Sequence, residues 1–260
     1  MNRLHYSARW WSELGRPPLW ATLATLAGLA VFVMLGTWQL ERAAEKADLL
    51  AQAAREDQTR PVEGALPDPD SPPEAWLFRR VVLIGEYETQ RQVLLDNMPH
   101  EGRVGHQVLT PLRLPDGRLV LVNRGWLVSQ GPRGQFPDVS VAPGPRRVEG
   151  RLNHLPRPGL RLGGNEPGSV DDPWPRLFLY PERETLEAAY GEPLPTYQLQ
   201  LAPDQPDGFV RRWETVNMPP ERHLGYAVQW FAFALVLLVI YFMLGIRRGK
   251  RHNGEAPNGG

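Results

Sequence analysis

Two long stretches of this chain carry no charge, and they stand near its opposite ends. The first runs from Pro17 to Leu40 around LWATLATLAGLAVFVMLGTWQL, the second from Leu224 to Ile246 as LGYAVQWFAFALVLLVIYFMLGI. Each meets the need for about 20 predominantly apolar residues to cross a hydrocarbon core about 30 Å thick. A core helix of a soluble protein rarely runs this long without one polar face. The pattern therefore predicts transmembrane helices at 18–40 and 223–246. Helix formers continue past the first span from Glu41 to Gln58, with no Gly or Pro before Pro61, and Leu40, Ala43, Ala44, Ala47, Leu50 and Ala54 fall close to one face. A helical extension over 41–58 is expected, then a proline-rich loop over 61–73 (PVEGALPDPDSPP).

From Trp76 onward the period shortens. FRRVVLIGEY, QVLLDN, HQVLTPLRL, RLVLVNRGWLV, RRVEGRLN, RLFLY, TYQLQLA and FVRRWETV are short runs rich in Val, Leu, Tyr and Phe, bounded by Gly, Pro, Asp and Asn. Pro115-Asp116-Gly117 separates two of them as a hairpin turn would. One short helix is expected from Pro181 to Tyr190, ended by Gly191. No parallel strand–helix–strand alternation is visible, so the fold class predicted is an α+β membrane protein. Its two transmembrane helices flank an extracytoplasmic antiparallel β domain over 76–216, barrel-like or sandwich, with one short helix.

Charge adds the orientation. Of 29 basic and 29 acidic side chains, 22 and 27 lie between Glu41 and Arg222, which leaves the two tails basic. Arg3, Arg9 and Arg16 precede the first span against Glu13; Arg247, Arg248, Lys250 and Arg251 follow the second against Glu255. Lys and Arg collect on the cytoplasmic side, so the N-terminus (1–17) and the tail (247–260) are expected inside and residues 41–222 outside. The first apolar stretch exceeds a signal-peptide core, and no small-residue cleavage site follows Gly36. An uncleaved anchor in a bacterial inner membrane is the expectation. The chain has no cysteine, which excludes disulfides and thiolate metal or redox sites.

Candidate chemistry is sparse. The sequence contains no GxSxG elbow, no phosphate-binding loop of the GxxxxGK[ST] type and no HExxH. Gly131-Pro132-Arg133-Gly134 reads as a turn, and Asp171-Asp172 as loop carboxylates. His5, His100, His106, His154, His223 and His252 lack the paired spacing of a zinc site. His223 differs in its setting, at the extracytoplasmic start of the second span. On a helix, Tyr226, Ala227 and Trp230 share its face at i+3, i+4 and i+7. A neutral imidazole beside an aromatic, apolar helix face can serve as an axial haem ligand. The spacing alone favours the plainer reading, in which these residues belong to the interfacial aromatic belt. Gly36, Trp38, Gln39 and Arg42 occupy the same boundary from the first helix. There Arg42 either snorkels to headgroups or, like Arg222, pairs with an anionic group of a ligand. Asn123-Arg124-Gly125-Trp126 ends an apolar strand; it reads as a strand-to-turn transition with Trp126 packed in the core, or as one that turns Arg124 toward the membrane side.

Taken in order, these pieces resemble the Surfeit locus protein one family, assembly factors of cytochrome c oxidase. The resemblance is carried by Gly36-x-Trp38-Gln39-x-x-Arg42-x-x-x-Lys46, Gly85-x-Tyr87, Gly105-His106, Val122-Asn123-Arg124-Gly125-Trp126 and His223-Leu224-x-Tyr226-Ala227-x-Gln229-Trp230-Phe231. It covers nearly the whole chain, apart from the Pro61–Pro73 loop and the glycine-rich tail. The resemblance implies binding of haem a, with His223 on the iron, Trp38, Tyr226 and Trp230 around the ring, and Arg42 or Arg222 near the propionates. It implies as partners subunit I of the oxidase, haem a synthase and membrane lipid, with no nucleic acid. Transfer would be ligand exchange and not enzymatic catalysis. The alternative from the same resemblance is a membrane-anchored scaffold that binds no cofactor. Copper delivery ranks low, because copper(I) favours sulfur ligands and the chain offers only five scattered Met. A membrane-anchored hydrolase ranks low as well, for want of a nucleophile beside a base.

Overall fold

The computed structural model describes residues 17–129, 137–155 and 172–254, with side chains of the last helix as far as Ile246. The Gly131–Gly134 turn, Asp171, His5, His252 and the basic side chains of the two tails lie outside the described residues. The chain divides into two units, one of residues up to Leu50 and from Val216, the other Ala51–Thr215.

The first unit is a pair of helices. Helix α1 (Leu19–Asp57) runs unbroken through the apolar stretch and its helix-forming continuation. Helix α3 (Pro220–Gly254) starts on a proline, whose missing N–H is no loss in a first turn. Both are long and apolar enough to cross a membrane, and only 11% of each apolar window is buried, unlike a helix in a soluble core. The helices pack antiparallel. Thr22 Oγ1 lies 2.9 Å from Tyr241 Oη at one end, Phe32 packs on Trp230 midway, and Gln39 reaches His223 at the other end. At about 1.5 Å per residue the stretch from Thr22 to Gln39 measures about 25 Å, close to the hydrocarbon thickness. Two glycines of α1 face α3. A Cβ on Gly28 would stand 2.8 Å from Leu237, and one on Gly36 would stand 2.6 Å from the Phe231 ring. Small residues at such contacts let helix backbones approach, which is how helices pair where water supplies no drive.

The second unit is built on one sheet. Its strands are β1 (Val62–Glu63), β2 (Arg80–Tyr87), β3 (Val93–His100), β4 (Arg103–Arg113), β5 (Leu119–Val128), β6 (Pro145–His154), β7 (Arg176–Phe178) and β8 (Tyr197–Leu201). The order is β1-β2-β6-β8-β5-β4-β3-β7, and a further pairing of β2 with β4 closes β2-β6-β8-β5-β4 into a barrel. Residues alternate faces along each strand. Val81, Leu83, Val120, Val122, Val148, Leu152, Tyr197, Leu199 and Leu201 fill one core cluster with Trp76. Leu119, Leu121 and Trp126 turn the other way, into a second cluster with β3 and helix α2 (Arg183–Tyr190). Strand β5 is thus covered on both faces, which accounts for its unbroken apolar run. Gly191 ends α2 in the left-handed region (φ 73°), donating its N–H to Glu187 O.

Two features differ from the expectations set by the sequence, and a third adds to them. Pairing is mixed: β1–β2, β3–β7 and β5–β8 run parallel. Strand β8 returns from α2 in the direction of β5, a consequence of chain path that no local pattern encodes. FVRRWETV forms a single bridge, Val210 to Trp126, in place of a strand. Gly125 (φ 109°) meets Val210 so closely that a Cβ would stand 2.7 Å from its carbonyl oxygen, and past this point Arg211 bonds the carbonyls of Ala202 and Gln205. The proline-rich loop, finally, is tied down. It carries β1, and its Pro67 and Pro69 carbonyls accept from Tyr197 Oη and Thr196.

The polar part of Val122–Trp126 is built into this unit. Asn123 is fully buried and donates to Gln107 and Gln198. Arg124 is 2% exposed and donates to the carbonyl oxygens of Asp207 and Val139 and to Gln92 Oε1. Burial holds its guanidinium below the ordinary value. Arg124 therefore joins β5 to two loops inside this unit. Trp126 donates its indole N–H to Met98 O within the second core.

The packing of β4 can be tested at two neighbouring residues. A Cβ on Gly105 would stand 2.2 Å from Leu127 O and 2.5 Å from the Trp126 ring, so Gly105→Ala should destabilise the full chain by about 1–3 kcal/mol. Denaturant unfolding of the detergent-solubilised protein, followed by tryptophan fluorescence, measures it; an unchanged midpoint would contradict the packing. Its neighbour His106 is buried, which lowers its pKa below the ordinary 6.5, while Asp96 at 3.2 Å acts in the opposite sense. The unfolded chain takes up this proton more readily, so stability is complete above 6.5 and falls as pH drops below it. His106→Gln should flatten that acid limb of a stability–pH profile.

Candidate functional site

The candidate site is assembled where α1 leaves its apolar stretch and α3 begins. Gly36, Gln39 and Ala43 recur at helical spacing on α1, as do His223, Ala227 and Trp230 on α3. Gly36, Ala43, His223 and Ala227 are buried, while Gln39 and Trp230 are half-buried. His223 Nδ1 lies 2.7 Å from Gln39 Oε1. Only 8% of His223 is exposed, and its second ring nitrogen, Nε2, is enclosed with no hydrogen-bond partner. A buried polar nitrogen without a partner costs about 1–3 kcal/mol, a cost that most native interiors avoid. An imidazole nitrogen in this setting is a potential metal ligand or hydrogen-bond acceptor.

One helical turn and more into the membrane stretch, three rings meet. Trp230 stacks on Phe32 with centroids 5.9 Å apart and planes at 26°, and Phe233 packs against both at 5.8 Å. Phe32 is a residue that the sequence motifs do not single out. Its signal is nonetheless there: an antiparallel pairing that sets Gln39 against His223 brings the residue two turns earlier on α1 beside Trp230. Trp38 is 48% exposed and has no ring partner among the described residues. Tyr226 is 46% exposed, turned from the buried face that His223 shares with Ala227. Trp38 and Tyr226 thus lie on the outer surface of the helix pair, at the same end as His223. The reason is angular: each side chain sits about 100° around the helix from its neighbour, so Trp38 cannot share the inward face of Gln39.

Charges gather just past the apolar stretch of α1. Arg42 Nη1 pairs with Glu45 Oε2 at 2.6 Å, and Lys46 Nζ lies 3.2 Å from Glu45 Oε1. The Lys46 bond, with the field of Arg42, holds the Glu45 carboxyl below its usual range. Arg42 Nε is buried and has no hydrogen-bond partner among the described residues. The Arg222 side chain is exposed on the first turn of α3. Elsewhere the other histidines serve packing: His100 lies against Trp126, and His154 meets Trp76 edge-on. Among the described residues no three His, Asp or Glu side chains converge as a metal cage. Two clefts of about 320 and 430 Å³ open in the β unit, around Tyr197 and Ile84, and none of the candidate ligand-binding residues lines them.

Comparison with known proteins adds an independent line. The model of the SURF1 family matches residues 26–235. A SURF1-like protein of Monosiga brevicollis is 26% identical over 261 residues, covering 95% of this chain and 94% of the relative. An uncharacterised SURF1-like protein of Mycobacterium tuberculosis is 27% identical over 253 residues, covering 92% and 89%. The cytochrome oxidase assembly protein SHY1 of Saccharomyces cerevisiae is 30% identical over 151 residues, covering 57% of this chain and 38% of its own.

The helix register can be checked in membranes, because the chain has no cysteine of its own. A Gln39→Cys, His223→Cys pair should be joined efficiently by a short thiol cross-linker, and a Leu23→Cys, His223→Cys pair should not. Adding Gly36→Leu should sharply reduce the first cross-link, by forcing a side chain into the Phe231 ring. Equal yields from both pairs would refute the antiparallel register.

Proposed function

Because the chain belongs to the SURF1 family, we propose that it assists assembly of cytochrome c oxidase by holding haem a at the His223 end of the helix pair and passing it to subunit I. The likeness to the yeast oxidase assembly protein supports the assembly role. The observation that carries the cofactor role is His223 Nε2, buried and without a partner at the end of two exposed apolar helices.

The donor set suits such a cargo, which brings an iron open to axial imidazole, two carboxylates and an apolar tail. His223 supplies the imidazole. Trp230, backed by Phe32 and Phe233, offers an aromatic wall, with Tyr226 and Trp38 on the outer surface beside it. Arg42 and Arg222 are the cations within reach of carboxylates at the boundary. Leu224, Val228 and Phe231 present exposed apolar surface along α3 for the tail. Nε2 is enclosed in this state, so loading requires the side chains over it to move, and unloading allows them to close again. Exchange onto histidines of the receiving subunit needs no covalent chemistry from this chain. In this reading both termini lie in the cytoplasm of a bacterium, the β unit lies in the periplasm, and haem a synthase is the natural donor.

The test is co-expression with a haem a pathway, purification in detergent and an absorption spectrum. The wild type should carry haem a, and His223→Ala should lose it at least about 10-fold. Wild-type haem content and spectrum in His223→Ala would sink the ligand assignment. Oxidase subunits co-purifying with a haem-free protein would favour the scaffold reading.

A further inference from the structure

We infer that Gln39 is the positioning residue that decides which nitrogen of His223 is offered to a ligand, keeping the proton on Nδ1 and the lone pair on Nε2. Its consequence for haem rests on the function proposed above, whereas the tautomer does not. A carboxamide oxygen carries lone pairs and no hydrogen, so it only accepts. At 2.7 Å from Gln39 Oε1, Nδ1 must therefore be the donor. In the neutral ring Nε2 is then unprotonated, and this is the nitrogen left without a partner. Free neutral histidine in water prefers the opposite arrangement, with the proton on Nε2. That tautomer would require the Gln39 carboxamide to turn its NH2 group to Nδ1 in place of the oxygen found there, and would bury an unmatched N–H at Nε2.

Nothing else described takes over this task. The oxygens of Glu45 are engaged by Arg42 and Lys46, and Gln39 is the hydrogen-bond partner of the His223 ring among the described residues. Gln39 can reach the ring because Gly36, one turn before it on the same face, lets α3 come close. A hydrogen bond from the far nitrogen both orients an imidazole ligand and raises its basicity.

The experiment uses the full chain in detergent micelles at neutral pH, labelled with nitrogen-15 histidine and free of cofactor. Two-bond nitrogen–proton correlations report each tautomer, and loss of one signal set in His223→Ala identifies His223. The wild type should show the Nδ1–H form. Gln39→Leu, similar in size, should raise the Nε2–H form several-fold, and Gln39→Glu, whose carboxylate still accepts, should restore the wild-type pattern. Where haem a binds, Gln39→Leu should weaken it about 10- to 100-fold, with recovery in Gln39→Glu. An Nε2–H signal in the wild type, or an unchanged Nδ1–H signal in Gln39→Leu, would overturn the inference. Haem bound through His223 with equal affinity in Gln39→Leu would also overturn it while leaving the cofactor role standing. The expected tautomers in a protein that takes up no haem would uphold Gln39 and remove the cofactor role.

Discussion

The candidate site depends on how closely two apolar helices approach each other. Hydrocarbon gives little drive for apolar surfaces to associate, so contact must come from fit and from hydrogen bonds between helices. Gly28 and Gly36 supply the fit by leaving room for Leu237 and Phe231. Thr22–Tyr241 and Gln39–His223 supply polar contacts at the two ends. Between them lies the Phe32–Trp230–Phe233 group. This arrangement brings an imidazole and a carboxamide together at one end of the pair, with an aromatic group about two helical turns away, from residues that are far apart in the chain.

The motifs that mark the family divide by physical role. Those in the β unit maintain the fold: Gly85 and Gly105 sit where neighbouring carbonyl oxygens leave no space for a Cβ. Asn123, Arg124 and Trp126 satisfy buried partners at the end of β5. The face of β8 turned from the barrel core carries Gln198 and Gln200, buried as well. Its amides bond His154 O, Asn123, Arg151 and Asn153, so polar residues occupy an interior position without an unmatched group. The motifs at the helix ends behave otherwise. His223 Nε2 and Arg42 Nε are buried without hydrogen-bond partners among the described residues; His106 Nδ1 of the β unit shares that state but has the Asp96 carboxylate 3.2 Å away.

Membrane helices and a β domain are legible because their signals are local. An uncharged run of about 20 residues matches the hydrocarbon thickness and little else in a folded protein, and short runs of β-formers bounded by turn residues declare strands wherever they pair. The alternation in TYQLQLA suggests one dry and one wet face; both are buried, because Arg151, Asn153 and the segment around Trp213 cover the glutamines. FVRRWETV has the composition of a strand, yet Arg211 turns to the carbonyls of Ala202 and Gln205 in the preceding turn and leaves only Val210 in the ladder. The parallel pairings are invisible for a related reason, since strand direction is settled by the path of connections and not by residue type.

At the candidate site the division is the same. The apolar lengths, the boundary position of His223 and the face it shares with Ala227 and Trp230 are all written in the order of residues, because helical spacing is a property of one element. That Gln39 meets His223, that Phe32 rather than Trp38 stacks on Trp230, and that Tyr226 turns outward emerge only once the chain is folded. Those outcomes depend on the rotation and register of one helix against another. Both are set by the sum of contacts along the whole pair, beginning with two glycines that have no side chain to declare their purpose.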